Sequence, residues 1–158
     1  MTSRIANPYA LAPEMYKAMV ALENTVKNCG LEYSLIELIK MRVSQINGCA
    51  FCLHMHATEL EKLGEHPMRI HLLPAWREAT AYTPRERAAL GWAEAITLIA
   101  QTQAPDADYN ALAAEFTEAE QMKLTVAIGA INVWNRLQVG FRGTNPELTI
   151  QHAASHAA

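Results

Sequence analysis

Apolar residues recur along this chain at three- and four-residue steps, the period of an amphipathic α-helix, and nowhere alternate in the manner of a half-buried strand. The clearest stripe runs through Met122, Val126, Ala127, Ala130, Ile131, Trp134 and Leu137. Leu124 and Ile128 lie on the opposite face, so this last helix is apolar around much of its circumference. It is expected either at the centre of the core or shared with another subunit. Thr117-Glu118-Ala119-Glu120 opens it with a capping box, and it ends near Gly140.

The earlier helices are punctuated in the same way. Pro13 opens one that runs to about Lys27, with Gly30 just past its end. Ser34-Leu35-Ile36-Glu37 fits a capping box for a second, which continues through Ile39, Val43 and Ile46 to an Asn47-Gly48 turn. A third follows at once, with Ala50, Leu53, Met55, Ala57, Leu60 and Leu63 inside it and Gly64 where a left-handed C-terminal residue belongs. Pro67 to Leu73 reads as a short helix broken by Pro74, leading through Trp76-Arg77-Glu78 into a polar connection. Thr83-Pro84-Arg85-Glu86 is another capping box, opening a long helix to about Gln101, and Pro105 opens a shorter one to Phe116. The tail from Thr144, closing in HAASHAA, is expected to be mobile.

At 158 residues the chain is expected to form one domain over residues 1–158, long enough to bury a core without disulfide staples. Half of it is hydrophobic but only 7% is aromatic, with Ala, Leu, Glu and Ile prominent, which makes the expected fold class all-α. A net charge of −3 with no cluster of Lys and Arg argues against a nucleic-acid partner. The longest mainly apolar stretch, Leu124 to Trp134, is too short to span a bilayer. Pro8, Pro13 and Glu14 interrupt any signal-peptide core, so a cytoplasmic location is expected. In that reducing compartment a CxxC pair is catalytic or metal-binding rather than a structural staple.

Such a pair stands at Cys49-Ala50-Phe51-Cys52, followed by His56, with Glu37 twelve residues before the first cysteine. On a helix, Cys49, Cys52 and His56 share one face, with Cys49 in the first turn. Cα atoms three apart in a helix lie ~5 Å from each other, within the disulfide range of roughly 4.4 to 6.8 Å, so the pair can close reversibly. A helix N-terminus at Cys49 and a protonated His56 near Cys52 are two devices for lowering a thiol pKa. Their effect on nucleophilicity is small. A two-unit drop raises the thiolate fraction about 25-fold, but a Brønsted coefficient near 0.45 costs about 8-fold, leaving a net gain of ~3-fold. Proton delivery matters more, because a peroxide expels an alkoxide or hydroxide that leaves poorly unless protonated. Glu37 lies ~15 Å before the turn and His56 ~10 Å after it, so an antiparallel hairpin brings them within about a turn of each other.

Each residue also has a plainer role. Glu37 can serve only as the capping partner of Ser34, and His56 can be an ordinary polar helix residue. Cys29, beside Gly30, reads as structural. His54 is off the cysteine face, and His66 and His71 have no thiol or acid partner at useful spacing. Trp76 and Trp134 read as core or interface packing, although either can wall a site. Zinc is the competing chemistry, with Cys49, Cys52, His56 and Glu37 as ligands. Structural zinc sites draw paired ligands from two loops, however, and no second cysteine pair exists, so no metal is expected.

Glu37 followed by Cys49-x-x-Cys52-x-x-x-His56, within Arg42-Val43-Ser44-Gln45-Ile46-Asn47-Gly48-Cys49, resembles the core motif of the AhpD-like alkylhydroperoxidase branch of the carboxymuconolactone decarboxylase family. Trp76-Arg77-Glu78, Thr83-Pro84-Arg85-Glu86-Arg87 and Ile131-Asn132-Val133-Trp134-Asn135-Arg136 resemble segments of its small members, and the likeness runs roughly from Pro8 to Arg142. It implies an all-α bundle, trimers or hexamers, and thiol-dependent reduction of hydroperoxides without metal or other cofactor. By this likeness Cys52 is the peroxidatic thiol, Cys49 the resolving thiol and entry point for reductant, and Glu37 and His56 the proton relay. The reductant it implies is a lipoylated or thioredoxin-like protein. Phe51 is a departure, since AhpD proteins carry a histidine there. The family's decarboxylases lack the CxxC, so lactone chemistry is the lesser expectation. A general dithiol-disulfide oxidoreductase with little peroxidase activity and a non-enzymatic redox-sensing oligomer remain as alternatives.

Overall fold

The computed structural model describes residues 2–143, which form helices joined by short connections, with no strand among them. The expected mobile tail from Thr144 lies outside the described residues. In chain order the helices are α1 (Pro8–Leu11), α2 (Pro13–Lys27), α3 (Tyr33–Ile46), α4 (Ala50–Lys62), α5 (Pro67–Leu72) with a 3-10 turn at Leu73–Ala75, α6 (Pro84–Thr97), α7 (Ile99–Thr102), α8 (Asp106–Glu115) and α9 (Glu118–Phe141). Among them none is long and apolar enough to cross a membrane.

Two helices organise the bundle: α9, as its apolar pattern predicts, packs against α2, α3, α4, α6 and α8, and α3 is the more deeply buried. Helix α3 packs against α4, α6 and α9, and every residue from Leu35 to Met41 is buried. One of its faces places Ile36, Ile39 and Val43 against Ala89 and Trp92 of α6 and Ile128 and Ile131 of α9, a cluster that also includes Cys49 and Cys52. The other places Leu38 and Met41 with Leu60, Leu73, Trp76 and Leu90. A helix apolar on two faces has to be covered on both, which is why α3 is central. In α9 the buried stripe is Leu124, Ile128 and Ile131, so Leu124 and Ile128 share the face of Ile131 rather than opposing it, while Met122, Val133 and Val139 remain exposed.

Two of the three capping boxes form. Thr83 and Thr117 each accept the N3 amide, and Glu86 and Glu120 return a bond to the cap amide. The third does not: α3 starts at Tyr33 with Glu32 as N-cap and no side-chain cap bond, which leaves Ser34 exposed inside the helix. Glu32 is engaged by Arg85, with Arg85 Nε 2.9 Å from Glu32 Oε1, and the buried Glu37 carboxylate points to other partners. The helix opened by Thr83 also stops before Gln101, because Leu98 leaves helical geometry (φ −100°, ψ 30°). The β-branched Thr97 and Ile99 flank that break, and Thr102 Oγ1 donates to the Ala95 carbonyl at 2.7 Å. The sequence reading missed α1, a single turn capped by Asn7 with Pro8 at its first position.

A direct check follows from the caps. Thr117→Ala should cost about 1 kcal/mol in urea unfolding, as for a working N-cap, whereas Ser34→Ala should stay within about 0.5 kcal/mol. Equal losses would mean that Ser34 caps α3 after all.

Candidate active site

The α3–α4 hairpin turns at Asn47 and Gly48, where Gly48 takes φ +66°, a left-handed value that any side chain would strain. The turn is fastened to α9: Asn47 Nδ2 donates to Asn132 Oδ1 at 3.0 Å and to Asn135 Oδ1 at 2.9 Å. Cys49 is therefore not inside the first turn of its helix, as its spacing suggests, but is the N-cap of α4, with extended backbone. Its Sγ accepts the Cys52 amide at 3.4 Å, so the two cysteines occupy N-cap and N3. All three cysteines are free thiols; Cys49 and Cys52 are buried and Cys29 is partly exposed, packed beside the core.

Glu37 and His56 meet across the hairpin, with Glu37 Oε2 2.7 Å from His56 Nδ1 and both side chains buried. With the carboxylate ionised, Nδ1–H is the donor, which leaves Nε2 free to take or give a proton. No described residue bonds Nε2, and it is the one buried side-chain nitrogen or oxygen among them in that position. Burial would raise the Glu37 carboxyl, but the hydrogen bond from His56, the charge His56 carries when protonated and the Lys40 ammonium outweigh it and hold the group below its ordinary value. Lys40 is itself buried, 3.7 Å from Glu37 Oε1 and 2.5 Å from Glu23 Oε2. Among the described residues, no three His, Cys, Asp or Glu side chains converge in a metal-binding group.

The thiols divide one proton unequally. A hydrogen bond from the Cys52 thiol, the Cys52 amide and Asn135 together outweigh burial and bring Cys49 down to about 7. Cys52 moves the other way, because it donates its proton to Cys49, is buried, and faces that negative charge. The Cys52 thiol is the largest cause of the lowered Cys49, with the amides of the helix N-terminus adding to it, while Cys52 keeps its proton despite His56 on the next turn.

Cys52 and His56, but not Cys49, line a cavity of about 510 Å³. Tyr9, Tyr16, Phe51 and Trp134 form much of its wall. The segment before α1 closes one side and is tied to the end of α9, where Arg4 N donates to the Phe141 carbonyl at 3.0 Å and Arg4 Nη1 to the Gly140 carbonyl at 2.9 Å. Trp134 therefore walls the site, whereas Trp76 is core, its indole N–H 2.8 Å from Glu94. His66 and His71 are exposed and away from the cavity, and His66 caps α5.

Asn135, Lys40 and Glu23 escaped the sequence reading. Asn135 had a legible signal: Leu124, Ile128 and Ile131 form a buried stripe on α9, and the next position of that stripe is an asparagine. A polar residue on a buried stripe needs partners, and Asn135 finds Ser44, Asn47 and both thiols. Lys40 and Glu23 lie on different helices, and no spacing rule pairs them.

The profile of the carboxymuconolactone decarboxylase family matches residues 13–95, which contain the hairpin, both cysteines, Glu37 and His56. The chain belongs to that family. Within it the chain falls in the AhpD-like branch: the solved Agrobacterium tumefaciens protein ATU0492, a protein of unknown function linked to the antioxidant defence protein AhpD, is 50% identical with a TM-score of 0.88, over 92% of this chain and 99% of its own. A peroxidase-related protein from Silicibacter sp. TM1040 is 26% identical with a TM-score of 0.77, over 88% of this chain and 74% of its own. An alkylhydroperoxidase AhpD core from Ralstonia eutropha JMP134, 23% identical with a TM-score of 0.75 over 88% of this chain and 75% of its own, shares the fold. The uncharacterised protein YdfG of Bacillus subtilis (strain 168) is 41% identical over 139 residues, 88% of this chain and 94% of its own.

For this family member the thiol asymmetry predicts a titration. Thiolate absorbance of the reduced protein near 240 nm should rise with a midpoint near pH 7, and Cys49→Ser should remove that step. Cys52→Ala and Asn135→Ala should each move the midpoint upward, because each deletes a hydrogen bond to the thiolate. A step that survives Cys49→Ser and vanishes with Cys52→Ser would reverse the assignment.

Proposed function

We propose that the protein is a thiol-dependent hydroperoxide reductase in which Cys52 attacks the peroxide, Cys49 resolves the product, and His56, oriented by Glu37, moves the proton. The observation that carries this reading is the buried Nε2 of His56, unbonded and on the same cavity as Cys52, with Nδ1 fixed at 2.7 Å from Glu37. A cavity-facing thiol that keeps its proton needs a base, and neutral His56 supplies one at Nε2.

The reaction balances without a metal or an added cofactor. His56 Nε2 takes the Cys52 proton, and Cys52 sulfur attacks the terminal peroxide oxygen. The O–O bond breaks as the S–O bond forms, the imidazolium returns its proton to the departing alkoxide, and an alcohol leaves. Cys49 then attacks the sulfur of the Cys52 sulfenic acid, and an S–S bond replaces the S–O bond as water departs with the remaining thiol proton. The peroxide gains two electrons and the thiol pair loses two. Glu37 stabilises the imidazolium without leaving its ionised state. A dithiol reductant, as a lipoylated or thioredoxin-like protein would supply, restores the pair by exchange.

One observation favours a second reading. A Cys49 thiol at about 7 on a helix N-terminus is also what dithiol-disulfide exchange requires. The two readings separate by leaving group, because exchange expels a thiolate that needs little acid assistance. His56→Gln should therefore slow peroxide reduction by about 10²-fold or more in stopped-flow assays and change disulfide exchange far less, with folding checked by circular dichroism. Glu37→Gln should act in the same direction but more weakly. Equal losses in both reactions would make the general oxidoreductase the better reading.

A further inference from the structure

Lys40 is a buried charge to which the reaction gives no part. It lies on α3 one turn after Glu37 with only 4% of its surface exposed, and a lysine that deep needs partners. It has two: its Nζ is 2.5 Å from Glu23 Oε2 on α2 and 3.7 Å from Glu37 Oε1. Glu37 thus turns one oxygen to the ammonium and the other to His56 Nδ1, 2.7 Å away. Glu23 also accepts the Trp134 indole N–H at 3.1 Å, and its side chain is 26% exposed where it lines the Cys52 cavity.

A buried carboxylate draws a cation to itself, and Glu37 has two neighbours able to supply the charge. While Lys40 supplies it, the imidazole can rest neutral, donating Nδ1–H to Glu37 and keeping Nε2 open for the Cys52 proton. Without Lys40 the same carboxylate would hold a second proton on the ring, and an imidazolium is no base. The surrounding groups do not take over this role. Tyr33 on α3 keeps its phenol proton, raised by burial and by the Glu37 and Glu59 charges. Lys27 on α2 is exposed over the Tyr33 ring, where solvent screens it. On α6, Glu94 is engaged by Arg42 and Arg77, and α9 contributes Trp134 and Asn135, which do not titrate. The Cys52 thiol and the Tyr9 phenol bring no charge near neutral pH. Cys49 gains a negative charge near pH 7, which adds to the pull on the imidazole proton.

We infer that Lys40 is a positioning residue of the reaction: its ammonium, held between Glu37 and Glu23, balances the Glu37 carboxylate so that His56 rests as a neutral base. Glu23 acts in the opposite sense, since it takes part of that charge for itself. This assignment rests on the peroxidase reading and adds to it the residue that sets the working pH.

Histidine imidazole NMR and the pH dependence of kcat/KM for cumene hydroperoxide are read on the same preparations of the full chain, with the signal lost in His56→Gln giving the assignment. Lys40→Met removes the ammonium, so the imidazolium persists to higher pH. The His56 midpoint and the acid limb of peroxide reduction should both rise by about one pH unit or more, a ~10-fold loss of kcat/KM on the acid side. Glu23→Gln leaves the ammonium to Glu37, so both should fall, by about half a pH unit because Glu23 is partly solvated. A lysine that only fills space would change kcat/KM without moving either midpoint, and a general loss of structure would not move the two variants in opposite directions. If circular dichroism shows that Lys40→Met does not fold, Glu23→Gln alone decides. Midpoints that stay in place in the folded variants, or a Glu23→Gln midpoint that rises, overturn the assignment. Midpoints that move as stated in a protein that reduces no hydroperoxide uphold it and overturn the peroxidase reading instead.

Discussion

The bond between Glu37 and His56 is the constraint around which the rest of the site is arranged. It joins two adjacent helices at 2.7 Å inside the protein, where an ionisable group left without a partner would cost several kcal/mol. Burying a carboxylate there requires α3 to run through the middle of the bundle, and it requires a cation nearby, which Lys40 supplies. It also fixes one imidazole nitrogen, so that the other, on the cavity, is left unbonded among the described residues. Had Glu37 capped Ser34 instead, the imidazole would have no defined tautomer and Lys40 would lose one of its two carboxylate partners.

The hairpin turn is the second element on which the site depends. Asn47 and Gly48 reverse the chain and deliver Cys49 to the N-cap of α4, while Asn132 and Asn135 hold the turn onto α9. The same asparagine that receives the turn also lies against both thiols, so the position of the loop and the ionisation of the pair share one side chain. That arrangement makes Cys49 the more acidic thiol and Cys52 the one that meets the cavity, so low thiol pKa and cavity access sit on different sulfurs, as the proposed division into resolving and attacking thiols requires.

Much of this was legible in the sequence, and the exceptions have physical reasons. Periodicity and punctuation located α2, α3, α4, α5, α6, α8 and α9, and the CxxC and His56 spacing placed the chemistry on the α3–α4 hairpin. The Ser34 capping box failed because a buried histidine and lysine compete for Glu37 more strongly than an exposed backbone amide does. The position of Cys49 shifted by one step because an N-cap thiol and a first-turn thiol share the same spacing. The i,i+3 pair Glu37–Lys40 was open to a spacing argument that the sequence reading left out, whereas the Lys40–Glu23 link between α3 and α2, and the aromatic wall assembled from α1, α2 and α9, were out of reach. They depend on how distant helices pack, which local pattern does not encode.

The most direct test of the account is a single turnover of the fully reduced protein with substoichiometric cumene hydroperoxide, with peptides mapped without reduction. Each peroxide consumed should yield one Cys49–Cys52 disulfide and one 2-phenyl-2-propanol, with Cys29 still a thiol, and Cys52→Ser should show no such consumption. Peroxide loss that survives Cys52→Ser, or a product disulfide that contains Cys29, would contradict it.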